Sequence, residues 1–166
     1  EQPTVQIKSV TNRFAQTDLD EIFVRKITII NSGRGRLSSL DFRQINDRGL
    51  KLLGVSGGTI TFSRDTVFTE FQSSHFTQIG NKDQWLDQNE EVVVYDTLQT
   101  IGCKNLSSSF QASWGCNSKI CQKTSSSANV TIKPKLPTLV ALAKTALTTC
   151  LDSSNTFQES LRLINT

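Results

Sequence analysis

His75 is the only histidine in this chain of 166 residues, so most general-base and nucleophile chemistry would have to pass through it. A hydrolytic triad needs a nucleophile, a base and an orienting acid. No HExxH motif is present, and no cysteine or second histidine lies near His75 in sequence. It reads as a surface or half-buried residue of a strand pair formed by residues 66–71 and 74–79. Carboxylates gather at Asp18, Asp20 and Glu21, and again at Asp83, Asp87, Glu90 and Glu91. The second group stands at a strand entrance, where solvated charge is ordinary. No catalytic residue is expected, and the chain is not expected to be an enzyme.

The four cysteines, Cys103, Cys116, Cys121 and Cys150, form an even set in a Ser/Thr/Asn-rich chain. Such a set reads more naturally as disulfides in an oxidising, extracellular setting than as a metal site. Three pairings are open. Proximity favours Cys116 with Cys121 across CNSKIC, which leaves Cys103 for Cys150, although Cys150 equally suits a partner outside these residues. By loop-closure entropy the short bridge is worth about 2 kcal/mol and the long one about 4 kcal/mol. A zinc site is the other reading, but the Cys103 to Cys116 spacing is not that of a metal knuckle.

Among aromatics that could stack on a sugar, Trp85 lies in the polar loop GNKDQWLDQN and is the candidate for a glycan contact, with a lid over the end of the fold as its plainer role. Trp114 alternates with Phe110 and sits two residues before Cys116, which makes both core aromatics.

The elements that must carry these residues read as strands. Residues 21–32, EIFVRKITIINS, place Phe23, Arg25, Ile27 and Ile29 on one face. Residues 155–166, NTFQESLRLINT, repeat that face as Phe157, Glu159, Leu161 and Leu163. Ile22 and Val24 on the other face become Thr156 and Gln158, so the shared face is expected to be the buried one. The same offset carries Pro3 to Pro137, Thr4 to Thr138, Thr11 to Thr145, Asp18 to Asp152, Ile30 to Ile164 and Asn31 to Asn165. Residues 1–134 then form one module and 135–166 the opening strands of a second, cut where the first copy continues to Gly33. Asp18 recurring as Asp152 raises calcium at a module joint. Asp20 and Glu21 become Ser154 and Asn155, so the second copy lacks the carboxylates such a site wants, and no cofactor is expected.

Elsewhere, residues 5–10 form a strand, and Gly33 and Gly35 turn the chain into a hairpin with Leu40 and Phe42. Gly57-Gly58 turn residues 50–55 into a second hairpin with Ile60 and Phe62. Residues 90–101, with Val92-Val93-Val94-Tyr95, suggest a central strand covered on both faces, anchoring the second sheet. Phe110, Ala112 and Trp114 alternate with serines and glutamine, and Ala128, Val130 and Ile132 repeat the pattern across the cysteine loop, so these strands should pair. Pro134 and Pro137 break the ladder, and the run from Leu139 matches the first strand. Short strands at regular spacing without a long amphipathic helix indicate an all-β, immunoglobulin-like antiparallel β-sandwich. At about 130 residues the module exceeds the roughly 100 typical of that class, and the excess is expected as an extra hairpin between Leu50 and Gly80.

Charge and hydropathy exclude two partners. The formal net charge is +3, with basic residues scattered, so no nucleic-acid footprint exists. No apolar run is long enough for a membrane helix, so no membrane insertion is expected. The absence of Met, even at position 1, suggests that Glu1 is a processed or internal start.

Residues 110–132, FQASWGCNSKICQKTSSSANVTI, resemble the aromatic-x-x-x-WGC, CQ, A-x-V pattern of very large secreted surface proteins of Bacteroidota, built from immunoglobulin-like repeats akin to the DUF11 class. Ile29-Ile30-Asn31-Ser32-Gly33 resembles the N-[ST]-G strand end of those repeats, and Ile164-Asn165-Thr166 stops inside the same motif. The resemblance implies export, typically by the type IX route, and a non-catalytic role in adhesion, gliding or fibres. Trp114, Cys116 and Cys121 carry over as fold-defining residues. Asp65-Thr66-Val67 and Asp96-Thr97-Leu98 resemble the O-glycosylation signal of that phylum. The expected function is a structural or adhesive module at the cell surface, with neighbouring repeats, a homo-oligomer or fibre formed through an exposed edge strand, and surface glycans as partners. A carbohydrate-binding module of a secreted protein is the alternative, followed by a hydrolase accessory domain.

Overall fold

The computed structural model describes residues 2–12, 16–102, 104–115, 126–135, 139–143 and 161–165. In chain order the elements are β1 (Val5–Asn12), β2 (Gln16–Thr17), β3 (Ile22–Asn31), β4 (Ser39–Asn46), β5 (Leu50–Ser56), β6 (Thr59–Ser63), β7 (Thr66–Gln72), α1 (Ser73–Phe76), β8 (Glu91–Thr100), β9 (Leu106–Gly115), β10 (Ser126–Pro134), β11 (Leu139–Ala143) and β12 (Leu161–Asn165). The chain divides into two compact units, Glu1–Lys135 and Leu136–Thr166.

The first unit is an all-β sandwich. One sheet has the order β1-β3-β8-β5 and the other β2-β10-β9-β4-β7-β6. The alternation along β3 decides what fills the space between them. Phe23, Arg25, Ile27 and Ile29 are buried, whereas Ile22 and Val24 on the other face are 58% and 51% exposed. From the second sheet Leu40, Phe42, Phe71, Phe110, Ala112 and Trp114 meet Ile27, Ile29, Val92 and Val94 in the main core. A smaller cluster of Phe23, Leu50, Leu98, Leu106 and Ile132 packs separately. As expected, β9 and β10 pair, with Phe110 opposite Ala128 and Leu106 opposite Ile132.

Several local expectations give way to the sandwich. The turn after Ser32 does not close a hairpin: β3 and β4 lie in different sheets, so the chain crosses the sandwich there. The same is true at Gly57-Gly58. There β5 pairs with β8 and β6 with β7, and a Cβ on Gly58 would meet the Glu70 carbonyl oxygen at 2.2 Å, so glycine is required where the chain changes layer. The extra hairpin expected between Leu50 and Gly80 is there, as β6–β7. A register shift between Leu52 and Gly54 moves Val55 to the core side and leaves Leu53 exposed, because a bulge reverses which residues face inward. β8 is central in its sheet, as expected, but it shares that sheet with β3 and is covered on one face only, since Tyr95 is 44% exposed. Residues 74–79 are not a strand. They form the single helical turn α1 and the turns after it, with Phe76 driven into the core.

The second unit contributes a two-stranded antiparallel ladder, β11–β12, with Leu139 opposite Asn165, Val140 opposite Ile164 and Ala141 opposite Leu163. The described part of the run from Leu139, Leu139–Ala143, is therefore a strand. Among the described residues no helix is long and apolar enough to cross a membrane.

Candidate functional site

The N-S-G stretch that ends β3 is explained by what it holds. The Asn31 side chain is fully buried and uses every hydrogen-bonding position of its amide. Its Oδ1 accepts the backbone N–H groups of Thr4 and Gly33, both at 3.1 Å. Its Nδ2 donates to the carbonyls of Gly35 at 2.8 Å and Leu86 at 3.0 Å. The Ser32 N–H donates to the Thr4 carbonyl at 2.8 Å, and the Ser32 hydroxyl reaches the same oxygen at 3.2 Å. A Cβ on Gly33 would stand 2.4 Å from the Thr4 nitrogen and 2.6 Å from the Gln2 oxygen, so only glycine lets the incoming segment lie this close. Asn31, Ser32 and Gly33 thus form a clasp that fixes residues 2–4 against the end of β3.

The loop between α1 and β8 closes over the same clasp. Leu86 is fully buried and exchanges backbone hydrogen bonds with Leu37 at 2.9 and 3.2 Å, so Leu86 is the plug of this end. Glu90 organises the loop by accepting the Asn81 N–H at 2.8 Å and the Asp87 N–H at 2.9 Å. Asp83 accepts the Trp85 N–H at 2.7 Å, and the Asn81 amide donates to Asp87 at 2.8 Å. Trp85 itself is 37% exposed, and the Arg36 guanidinium lies 5.6 Å from its ring centre, partly occupying the face a sugar would need.

A second polar group lies between the two apolar clusters. Arg25 and Asp96 are a wholly buried ion pair, with Arg25 Nε 3.1 Å from both carboxylate oxygens. Arg25 Nη1 donates to Ser108 Oγ at 2.7 Å, Nη2 donates to Asn46 Oδ1 at 2.9 Å, and Gln44 Nε2 donates to Asp96 at 2.6 Å. The guanidinium also sits 4.6 Å from the Phe110 ring centre. Burial pushes the Asp96 carboxyl up, against the opposing pull of Arg25 and Gln44. With the Arg25 and Asp96 charges bonded from within, this layer orients the sheets, although the Gln44 Oε1 beside it is buried without a hydrogen-bond partner among the described residues. The sequence reading places Asp96 in a glycosylation-like signal and not beside Arg25, although a buried arginine on β3 demands a carboxylate on a neighbouring strand, and Asp96 shares the inward face of Val92, Val94 and Leu98.

The other sequence candidates do not converge. His75 caps α1, its Nδ1 accepting the Gln72 N–H at 3.0 Å, and its ring stands edge-on to Phe71, so that nitrogen is occupied by the turn. Asp18 pairs with Lys135 at 3.2 Å, while the Glu21 carboxylate accepts the Asp18 N–H at 2.8 Å. Among the described residues no group of three or more His, Cys, Asp or Glu could hold a metal ion. Phe110 and Trp114 lie in the main core. Cys103, Cys116, Cys121 and Cys150 lie outside the described residues, and so do Asp152 and Glu159. Of the two O-glycosylation signals, Asp65-Thr66-Val67 lies at the exposed β6–β7 turn, whereas Asp96 of the other is committed to the core.

No family model matches the sequence, and no curated protein matches it. Solved structures do. The seventh ScaB type I cohesin from Pseudobacteroides cellulosolvens superimposes with a TM-score of 0.52 at 14% identity, over 80% of this chain and 92% of the cohesin. The full-length major pilin SpaD from Corynebacterium diphtheriae gives a TM-score of 0.58 at 8% identity over 96% of this chain, which spans only 40% of the pilin. A cohesin module from a Clostridium perfringens family 33 glycoside hydrolase gives 0.51 at 11% identity, over 78% of this chain and 99% of the module. At these identities the likeness is one of fold, and the fold is an immunoglobulin-like sandwich.

Proposed function

We propose that this chain is a non-catalytic structural or adhesive module of an extracellular bacterial surface protein or fibre, consisting of one sandwich and the opening strands of a second. The observation that carries the reading is the clasp. Pro3, Thr4, Ile30 and Asn31 recur as Pro137, Thr138, Ile164 and Asn165, and in the first unit those positions lie together where the clasp grips the incoming segment. The pairing register supports it as well. Val5 opposite Asn31, Gln6 opposite Ile30 and Ile7 opposite Ile29 become, at the same offset, Leu139 opposite Asn165, Val140 opposite Ile164 and Ala141 opposite Leu163. A clasp that fixes the entering strand suits a stiff repetitive stalk, and an interior ion pair bonded from both sheets suits a load-bearing rather than a catalytic role. The WGC segment's resemblance to Bacteroidota surface repeats agrees with this reading, as do the cohesin and pilin modules of like fold. In this reading Cys116 pairs with Cys121 and Cys103 with Cys150 in an oxidising exterior.

Stretching the whole chain between its termini tests this reading. A stapled load-bearing module is expected to resist with a distinct force peak. Reduction is then expected to add roughly 160 Å of contour, the length of extended chain between Cys103 and Cys150. A chain that extends without a peak is no stalk element, and an unchanged contour on reduction removes the long bridge. The partial exposure of Trp85 favours glycan binding as a second reading. A glycan array without a hit, or a hit unaffected by Trp85→Ala, removes it.

A further inference from the structure

We infer that β6, the outer strand of the six-stranded sheet, is a pairing edge for β6 of a second copy of this chain, the two strands running antiparallel about a two-fold axis at Thr61. As a lateral contact between fibres the pairing rests on the function proposed above. As a dimer it uses only residues of the first unit, so the two can fail separately. The two sheets of that unit have β1, β5, β2 and β6 as their edges. An exposed edge invites pairing with another chain unless it is short, bulged or charged. β2 is two residues long. β1 bulges between Ile7 and Ser9 with Lys8 as the extra residue, and β5 bulges between Leu52 and Gly54, next to Lys51. β6 has none of these guards. Its sequence TITFS carries no charge and no proline, and its register against β7 is unbroken from Thr59 opposite Glu70 to Ser63 opposite Thr66. Among the described residues it pairs with β7 alone.

Register fixes which backbone groups are free. Only Arg64 and Asp65 separate Ser63 from Thr66, so Ser63 and Thr66 exchange the closing hydrogen bonds of a two-residue hairpin. Such pairs alternate along an antiparallel ladder, so Thr59, Thr61 and Ser63 bond to β7, whereas Ile60 and Phe62 direct their N–H and C=O groups outward. A second copy turned about Thr61 places its Phe62 opposite Ile60 and its Ile60 opposite Phe62. This is the one antiparallel register in which all of β6 faces all of its copy. Every outward N–H and C=O of Ile60 and Phe62 is then used, and aromatic stands against aliphatic at each crossing. The pairing also accounts for Phe62, which shares the inward face of the buried Val67 yet is 63% exposed, lining an open groove with Leu52 and Ile101. Ile60 of the second copy comes to lie beside it. The charges agree as well. Thr59 stands opposite Glu70, which stands opposite Asp41, and the shared register brings Arg64 of the second copy to the Thr59 end, beside those carboxylates. So short an edge buries well under the roughly 1,200 Å² of a stable interface, so the dimer is expected to be weak, with a Kd of about 0.1–1 mM.

The test is sedimentation equilibrium of the whole chain up to millimolar concentration, beside Thr61→Lys, Thr61→Glu and an equimolar mixture of the two variants. Thr61 is exposed and meets itself across the axis, so either substitution sets like charges directly opposite each other without disturbing the monomer, and the mixture sets opposite charges there. The parent should dimerise increasingly with concentration. Each variant alone should dimerise about two- to fivefold more weakly than the parent, and the mixture about two- to fivefold more tightly. Amide exchange at Ile60 and Phe62 should slow as concentration rises, while Thr59, Thr61 and Ser63 are protected throughout. A parent that stays monomeric overturns the proposal, whatever other chain β6 then takes. Dimers that form equally well in all these samples place the contact elsewhere and overturn it too. Dimers weakened in both variants but not restored by mixing overturn the two-fold at Thr61, and with it the pairing. None of these results alters the force peak by which the stalk reading is judged.

Discussion

Two hairpins of this molecule share a register and differ in what stands behind them. In β1–β3 the inward residues are backed by β8 on the open side and by the second sheet across the core, and the strand end is locked by Asn31. In β11–β12 three of its cross-strand pairs recur, the two series parting where β1 bulges between Ile7 and Ser9, and no further ladder joins this hairpin among the described residues. Register is therefore encoded within about thirty residues of chain, by alternation and by the residues at the strand ends, whereas stability is encoded by strands that arrive much later. Arg25 makes the point. Its position on the strand is local information, but its partners Asp96 and Ser108 come from β8 and β9.

The sharpest test of that contrast removes the later partner and leaves the hairpin sequence intact. Asp96→Asn keeps the shape but leaves the buried guanidinium without its counter-charge, and is expected to cost about 3–5 kcal/mol of first-unit stability in denaturant unfolding. The β11–β12 ladder, which has no arginine at the equivalent place, should keep its amide protection. A loss below about 1 kcal/mol would mean that water or another group compensates Arg25, and the core would not be what separates the two hairpins.

Next in size is the clasp. Asn31→Ala empties four hydrogen-bonding positions at once, and the buried N–H and carbonyl groups left behind should lower stability by about 2–3 kcal/mol. Asn165→Ala, at the same register position, is expected to cost less than about 0.5 kcal/mol, because it ends a ladder of two strands among the described residues. Equal losses at the two sites would erase the contrast.

The part of the fold that could be read from sequence follows the same division. The inward face of β3, the β9–β10 pair and the core placement of Phe110 and Trp114 all come from alternation within one segment, which period two reports directly. The hairpins expected after Ser32 and at Gly57-Gly58 failed because a turn signal says that the chain reverses, not in which sheet it lands. Both turns carry it between layers. The run Val92-Val93-Val94-Tyr95 looked covered on both faces, but no element packs over Tyr95 closely enough to bury it. Alternation at residues 74–79 was overridden when Phe76 turned inward on α1. The clasp was visible only as the repeated residues Pro3, Thr4 and Asn31. Their identity could be read without the contact that explains it, since Leu86 arrives 55 residues after Asn31.

The smallest effect lies outside both hairpins, where no local repeat and no core contact is involved. On the outward face of the second sheet Asp41 stands directly opposite Glu70. Partial withdrawal from water and, after it, the Glu70 charge push the Asp41 carboxyl up. A carboxyl whose folded pKa is raised leaves the folded state holding more protons than the unfolded one between the two values. Its contribution is therefore fully present below the unfolded value near about 4 and is lost as pH rises through the folded one. Asp41→Asn abolishes that dependence. The variant and the parent should match below about pH 4, and at neutral pH the variant should be more stable by roughly 0.3 kcal/mol, the size of one exposed like-charge pair relieved. Parallel denaturant curves at the two pH values measure the difference. A variant that gains at low pH instead would place the strain in the packing around Asp41 and not in its charge, and would bring this exposed pair under the same long-range control as the core.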